Sequence, residues 1–353
     1  FAEGFAKASA NELPATRIAQ KKNQEPLPMS LGTVELDKLL LRVKSLPIAA
    51  QAMALAGLKR TIDFQDVRYG AQYLDRLEKL ASLDNAAKAY AFTAACAKYL
   101  ANAMTYDDVI GVADLKTRTA RFERIAREMK ANQAPLYLTE FMHPRAEEIV
   151  GLLPAGIGAW VSSRPSWMQL IDRLFNRGRH VETAKLGGFL QLYAISSLRR
   201  FRRKLLRHRM ETKHMDAWLA LATDTLGRNY DLARGIVSAR RLIKGYSDTH
   251  ARGQSKFDRV ISAVPQLINR DDAGQWMDRL ISAALKDEDG GGLDGALKTV
   301  RELSLSPGAP APGRRGSPDP ATWPTCRRPR QRHRRSSRPA VRIAPHRPRA
   351  SVA

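Results

Sequence analysis

The chain has 353 residues, 44% of them hydrophobic, and carries 59 Lys and Arg against 35 Asp and Glu, a formal net charge of +24. This length and apolar content suffice for one large or two ordinary domains. Two cysteines, Cys96 and Cys326, exclude a disulfide framework, a cysteine-ligated zinc site and a cysteine-held iron–sulfur cluster within the chain. The longest apolar runs are too short to span a membrane and no secretory signal is recognised, so we expect a cytoplasmic protein.

The first half of the chain has apolar residues at three- and four-residue spacing, which predicts amphipathic helices. The predicted helices cover the stretches 36–46, 49–58, 69–80, 86–104 and 110–129. Asp107 or Asp108 is expected to cap the last of these. The piece 136–139 resembles a strand but is too isolated to imply a sheet. Pro144 is expected to begin a further helix with Glu147 and Glu148 in its first turn, where carboxylates are favourable.

The second half continues the helical pattern with longer elements. Residues 152–166 contain two Pro and two Gly and are predicted to be broken chain between helices. One long helix is predicted from 188 to 225, followed by shorter helices around Leu232, Phe257 and Trp276. Because no strands alternate with helices, the sequence predicts an all-α, multi-helix domain over 31–303, with a division into two lobes near 154–165 as an open alternative.

The C-terminal residues 304–353 differ from the rest. They hold twelve Arg, ten Pro and one acidic residue, Asp319, and no Lys. So few apolar residues cannot offset the entropy of ordering this stretch. We predict a disordered or frameshifted tail, and a nucleic-acid-binding arm is the alternative.

Two dense polar strings are candidates for binding. The first is the basic run 199–209, whose candidate anion-binding or interface residues are Arg199, Arg200, Arg202 and Arg203. Such a run suits a phosphate-bearing ligand, nucleic acid or an acidic protein partner. A solvated helix face balanced by acidic neighbours is the competing interpretation.

The second string, 241–253, lies between two predicted helices and has a glycine near each end. Its candidate residues are Lys244, Tyr246, Asp248, His250 and Arg252. Lys244, His250 and Arg252 could bind an anion, and Asp248 or Ser247 could cap the next helix. A polar turn that only joins two helices is the alternative. The chain lacks the glycine-rich, zinc-protease and nucleophile-elbow motifs of common enzyme classes.

Six segments, in order, resemble the C-terminal helical region of the indolepyruvate oxidoreductase beta-subunit family, which belongs to the 2-oxoacid:ferredoxin oxidoreductases. They are DFQDVRYGAQYLDRL (63–77), MTYDDVIGVADLKTR (104–118), TEFMHPRAEEI (139–149), LPAGIGAW (153–160), LGGFLQLYAISSLRRFRRK (186–204) and RLIKGYSDTHARG (241–253). Within them, the candidate family-motif residues are Asp63, Asp66, Arg68, Tyr69, Asp114, Lys116, His143 and Arg145. The resemblance implies a subunit that assists oxidative decarboxylation of an aryl 2-oxoacid to aryl-acetyl-CoA, with electrons passed to ferredoxin.

The resemblance also implies where the cofactors lie. Thiamine diphosphate and iron–sulfur clusters are expected on a large partner subunit, with no cofactor or metal in this chain, and ferredoxin and CoA are indirect partners. Family members begin with a Rossmann-like domain, so we expect residues 1–30 to be the remnant of that missing domain and its linker. The fragment alone is then expected to be inactive. A non-enzymatic helical module for an acidic partner or nucleic acid is the alternative, with nucleic acid the less expected of the two.

Overall fold

The computed structural model describes residues 26–130, 138–142, 145–175, 179–183, 185–245, 247–287 and 291–305. Apart from two four-residue strands, the regular structure of this part of the chain is helical, which confirms the all-α prediction. None of the described helices combines the length and the apolar character needed to cross a bilayer. Residues 1–25 and 306–353, with most of the predicted N-terminal remnant and of the predicted tail, lie outside the described residues.

Four helices form the N-terminal layer: α1 (Val34–Ser45), α2 (Ile48–Phe64), α3 (Val67–Ala81) and α4 (Ala91–Met104). Helix α4 packs against both α2 and α3. Gly57 of α2 permits the close approach of both α3 and α4, because a Cβ built there would lie 2.5 Å from the Tyr73 hydroxyl and 2.9 Å from the Ala101 Cβ. That hydroxyl donates a hydrogen bond to the Ala97 carbonyl (2.7 Å). A 3₁₀ turn, Ala86–Lys88, and two left-handed residues separate the predicted 86–104 helix into two parts.

The middle of the chain contains α5 (Val109–Thr117), α6 (Thr119–Glu128), β1 (Thr139–Met142), α7 (Ala146–Gly151), α8 (Ala155–Ser162), α9 (Pro165–Phe175), β2 (Arg179–Glu182) and α10 (Leu186–Ser197). The expectation of no sheet is wrong, because β1 pairs antiparallel with the distant β2, Thr139 opposite Glu182. The predicted broken chain over 152–166 is also wrong. Pro154 directly precedes α8 and Pro165 begins α9, positions where the missing proline N–H interrupts no helical bond.

The long helix predicted over 188–225 is interrupted. After α10, residues Leu198–Lys204 form a 3₁₀ segment, Leu205 is extended, and α11 runs over Leu206–Leu226. Leu205 forms a β-bridge with Pro154, and the Leu206 amide donates to the Leu153 carbonyl (2.9 Å). Contacts with the start of α8 therefore override the local helical preference of this stretch.

The C-terminal elements are α12 (Tyr230–Ala239), a 3₁₀ turn (Arg240–Leu242), α13 (Ser247–Ile261), α14 (Val264–Leu267), α15 (Ala273–Lys286) and α16 (Gly291–Leu305). They share the main hydrophobic core with α1–α4 and the C-terminal part of α11. Trp218 lies fully buried there and its indole N–H donates to the Ile236 carbonyl (2.9 Å). A smaller core of Val150, Val161 and Leu206 joins α7, α8 and the start of α11. Helix α11 therefore contributes to both cores.

Candidate functional site

The basic 3₁₀ segment contacts the C-terminal end of α2. Arg199 Nη2 donates to the carbonyl oxygens of Asp63 (2.6 Å) and Gln65 (2.8 Å). Arg202 donates to the Phe64 carbonyl, and its guanidinium lies 4.0 Å from the centre of the Phe64 ring. The last carbonyls of a helix lack intrahelical partners and carry partial negative charge, so cations stabilise them. Arg199 and Arg202, which the sequence suggested as anion-binding residues, thus donate hydrogen bonds to the carbonyl groups at the end of α2.

Arg202 also forms a buried ion pair with Asp108. Its Nε lies 2.9 Å from Asp108 Oδ2 and its Nη2 lies 3.1 Å from Oδ1. The two side chains are only 3% and 6% exposed. Asp108 additionally accepts from the Gly111 amide (2.6 Å) and so caps α5, as one of the two predicted caps. We call Arg202, Asp108 and the end of α2 the Arg202 junction.

Tyrosine and histidine side chains extend the Arg202 junction towards α11. The Tyr106 hydroxyl lies 3.1 Å from His208 Nδ1, and the Tyr69 hydroxyl donates to the Met104 carbonyl (2.9 Å). Burial, followed by the charges of Arg203 and Arg202, lowers the pKa of His208 to about 4. Burial raises the pKa of Tyr106 well above its usual value. Both side chains are therefore neutral at pH 7.

A second charged cluster, the Glu211 junction, lies between α11, the 3₁₀ turn at Arg240 and α13. Glu211 Oε1 lies 2.9 Å from Arg207 Nη2 and 3.1 Å from His250 Nε2, and Oε2 lies 3.5 Å from Arg240 Nη2. Burial alone would raise the pKa of Glu211, but Arg207 first, and then His250 and Arg240, hold it well below its usual range. Burial lowers the pKa of both Arg240 and His250.

A small cavity of about 30 Å³ separates the two junctions, with Glu148, Arg202, Arg207 and His208 among its lining residues. A cavity of this size has room for about one or two water molecules. Burial raises the pKa of Glu148, which Arg207 and Arg145 partly oppose. The cavity thus borders both junctions, through Asp108 and Arg202 of one and Arg207 of the other.

The string 241–253 divides between the interior and the surface. His250 is buried in the Glu211 junction, whereas Lys244 and Arg252 are exposed. Gly245 has the expected positive φ (+72°), and its amide donates to Asp107 Oδ2 (2.9 Å). Helix α13 begins at Ser247, and the side chains of Ser247 and Asp248 lie outside the described residues, so their expected capping role stays a prediction. Tyr246 also lies outside the described residues.

The remaining predicted residues lie in several places. Asp63 and Asp114 both form ion pairs with Arg118, at 3.1 Å and 2.5 Å, and Lys116 forms an ion pair with Glu140 of β1. Asp66 caps α3, and Arg145 directly precedes α7. Arg203 donates a hydrogen bond to the side-chain oxygen of Gln72 (3.0 Å). Arg68 and Arg200 are exposed, and His143 lies outside the described residues. The structure therefore brings Asp63 and Asp114 together through Arg118, and it does not bring Arg68 or Arg200 to either junction.

Glu211 and Arg240 of the junctions were not singled out from the sequence, and Arg207, His208 and Tyr106 lay within the stretches 199–209 and 104–118 without being candidate residues. Arg207, Glu211 and His214 recur at four- and three-residue spacing and so share one face of α11. Met215 and Trp218, buried further along α11, mark the side of this helix that faces the core. On α11, charged residues at helical spacing are followed by apolar residues that face the core. This pattern could have indicated from the sequence that Glu211 and His214 are buried.

Over the ranges that the structure describes, no three His, Cys, Asp or Glu side chains lie close enough together to hold a metal ion. Cys96 is buried in α4, and burial raises the pKa of its thiol. Cys326 lies outside the described residues. Cys96 thus has the surroundings of a core residue.

Comparison with known protein families gives one match. Residues 50–263 match the model of DUF6537, described as a family of unknown function, and these residues make up more than half of the chain. The chain belongs to the DUF6537 family. The DUF6537 region runs from the first turn of α2 to just beyond α13, so it includes both polar junctions. No curated protein and no solved structure matches the chain.

Proposed function

We propose that this chain is the helical part of an arylpyruvate:ferredoxin oxidoreductase and works as a subunit of it. In that enzyme an aryl 2-oxoacid such as indolepyruvate is decarboxylated oxidatively to aryl-acetyl-CoA, and the electrons pass to ferredoxin. Thiamine diphosphate and the iron–sulfur clusters would be held by a large partner subunit. DUF6537 membership specifies no activity, so the proposal depends on the six resembling segments.

The observation that carries the proposal is that hydrogen bonds and ion pairs link five of these six segments in the fold. Segments 63–77, 104–118 and 186–204 meet at Arg202, which binds both the Phe64 carbonyl and Asp108. Segment 241–253 joins them through the Gly245 amide on Asp107. Segment 139–149 joins through Glu140 on Lys116. Matches of unrelated origin have no reason to share contacts, so the convergence supports one common structural unit.

The geometry favours a role in assembly over a role in chemistry. Arg202, Asp108 and Glu211 are buried, and their charged groups are bonded to each other or to helix ends. Such groups are positioned to hold the helices together. Lys244 and Arg252, like Arg241, are exposed cations of the string 241–253 and can contact a partner subunit.

The direct test is anaerobic co-expression of the chain with a large thiamine-dependent subunit encoded beside it. The measurements are co-purification and indolepyruvate-dependent reduction of ferredoxin. We expect a stable, active complex, and we expect Lys244→Ala combined with Arg252→Ala to lower both measurements while the melting temperature stays unchanged. Lys38→Ala is the matched control, since Lys38 is exposed on α1 and lies outside residues 50–263. Failure of the wild-type chain to bind that subunit would contradict the proposal.

The alternative function, a helical module for an acidic partner or nucleic acid, depends on the basic run 199–209. Arg199 and Arg202 are engaged at the end of α2, whereas Arg200, Lys204 and Arg209 are exposed. The continuous basic surface expected of a long helix is therefore broken by the 3₁₀ segment. Binding to duplex or single-stranded nucleic acid that falls steeply with salt would favour this alternative.

A further inference from the structure

We propose that the groove between α3 and α11 binds an organic acid, with a carboxylate held at Arg203 and an apolar body lying on the groove floor. This inference concerns the isolated chain and does not depend on the proposed oxidoreductase function. The groove has a volume of about 700 Å³. That volume lies within the range of small-molecule sites in proteins, roughly 300–1,000 Å³.

The floor of the groove is apolar. Leu80 of α3, Met104 of α4, and Met215 and Leu219 of α11 line it, and each of these side chains is buried. Methionine side chains adapt to irregular or aromatic surfaces, which suits an apolar ligand of variable shape. The floor therefore provides hydrophobic contact for an alkyl chain or an aromatic ring.

The charges of the groove leave it positive. Arg76 is paired with Asp216 (2.5 Å), and Asp75 is paired with Arg42 (2.7 Å). Within the described part of the chain, the two other lining cations, Lys79 and Arg203, have no carboxylate within 4.0 Å. An arginine side chain offers five donors in a planar fork that matches a carboxylate. A ligand carboxylate would therefore supply the charge partner that Arg203 lacks.

Partial burial and contacts with neutral side chains hold Arg203 in place for binding a carboxylate. It is half-buried, donates to the neutral Gln72 amide oxygen (3.0 Å), and its guanidinium lies 5.8 Å from the centre of the Tyr69 ring. A half-buried cation loses part of its hydration, so an anion that reaches it binds more strongly than it would at a fully exposed site. Arg203 is thus held in place by neutral groups with its charge uncompensated.

His208 adds a neutral polar group beside Arg203. It lines the groove, and its Nδ1 lies 3.1 Å from the Tyr106 hydroxyl. When Tyr106 donates to Nδ1, the ring proton is on Nε2, which is then a hydrogen-bond donor. The Tyr69 hydroxyl is already occupied by the Met104 carbonyl. Arg203 and His208 therefore define the polar end of the groove.

The test is titration calorimetry on the full chain with four probes. Decanoate and 1-naphthylacetate carry a carboxylate on an alkyl and an aromatic body, 1-naphthylacetamide is the uncharged counterpart, and inorganic phosphate has charge without an apolar body. We expect at least one carboxylate to bind, with the amide about tenfold weaker or more, because the amide has no charge to pair with Arg203. Phosphate should not bind measurably, because it has no apolar body to contact the floor. The carboxylate that binds more tightly identifies the apolar body.

Matched variants locate the site. Arg203→Gln should weaken carboxylate binding about tenfold, and Lys79→Gln should weaken it in the same direction. Lys204→Gln removes the neighbouring exposed cation, which does not line the groove, and should leave binding unchanged. Failure of both carboxylates to bind, equal binding of acid and amide, phosphate binding as tight as that of the organic acids, or wild-type affinity in Arg203→Gln would overturn the proposal. Because no partner subunit is present, a negative result here is separable from failure of the oxidoreductase proposal.

Discussion

Gly158 of α8 lies so close to Leu206 of α11 that a Cβ built on the glycine would be 2.8 Å from the Leu206 Cβ. The same Cβ would lie 3.0 Å from the Val150 carbonyl oxygen of α7. Helices α7, α8 and α11 therefore pack together at Gly158, where a side chain would not fit. Gly156, two residues earlier in α8, has no such neighbour within 4 Å.

This difference gives a prediction with an internal control. Gly158→Ala should lower the free energy of unfolding by about 1–3 kcal/mol, because the methyl group displaces Leu206 or the backbone of α7. Gly156→Ala should leave stability unchanged or raise it by up to about 1 kcal/mol, since alanine restricts the unfolded chain and fits the helix. Urea unfolding of both variants measures the difference. Equal effects would contradict the close approach of α8 to α11.

The Arg202 junction predicts a large effect from one arginine and a small effect from its neighbour. Arg202→Ala leaves Asp108 charged and buried without its partner, so we expect a loss of about 3–5 kcal/mol in the free energy of unfolding. Arg200→Ala, in the same 3₁₀ segment but exposed, should change it by no more than about 0.5 kcal/mol. Chemical denaturation monitored by circular dichroism distinguishes the two. A small effect at Arg202 would show that the ion pair is not buried.

The Glu211 junction makes an analogous prediction on α11. Glu211→Gln removes the carboxylate that faces Arg207, Arg240 and His250, which leaves the buried Arg240 guanidinium without its charge partner and should cost about 3–5 kcal/mol. The matched control is Asp216→Asn, which removes an exposed ion pair with Arg76 and should cost at most about 1 kcal/mol. Thermal and urea unfolding of both proteins provide the comparison. Similar losses in the two variants would argue against a special role for Glu211.

His208 predicts a pH dependence of stability. Its pKa is about 4 in the fold against 6.5 for an unperturbed histidine, so between these pH values the unfolded chain binds more protons than the folded chain. The free energy of unfolding should therefore fall as the pH is lowered from 6.5 to 4. His208→Gln does not titrate and still offers Tyr106 an acceptor, so its profile should be flatter over this window. An unchanged slope in His208→Gln would place the titration elsewhere, His250 being the next group with a lowered pKa.

Local sequence signals predicted the features that depend on neighbouring residues along the chain. The three- and four-residue spacing of apolar side chains correctly indicated an all-α protein. Asp108 was one of two predicted caps, and it accepts from the Gly111 amide three residues later. Glu147 and Glu148 lie in the first turn of α7, as their charge at a helix start suggested. Each of these features depends only on residues within about one helical turn of each other.

Tertiary contacts decided where the helices stop and which charges are buried. Residues 198–204 have a helical pattern, but Arg199 and Arg202 bind the end of α2, and Leu205 pairs with Pro154. The partner of Arg202 in its ion pair, Asp108, is 94 residues away in sequence. A run of arginines has the same composition whether it faces water or a buried carboxylate. Only the fold brings the compensating charge close and removes the water, and that desolvation separates a structural arginine from one that is free to bind an anion.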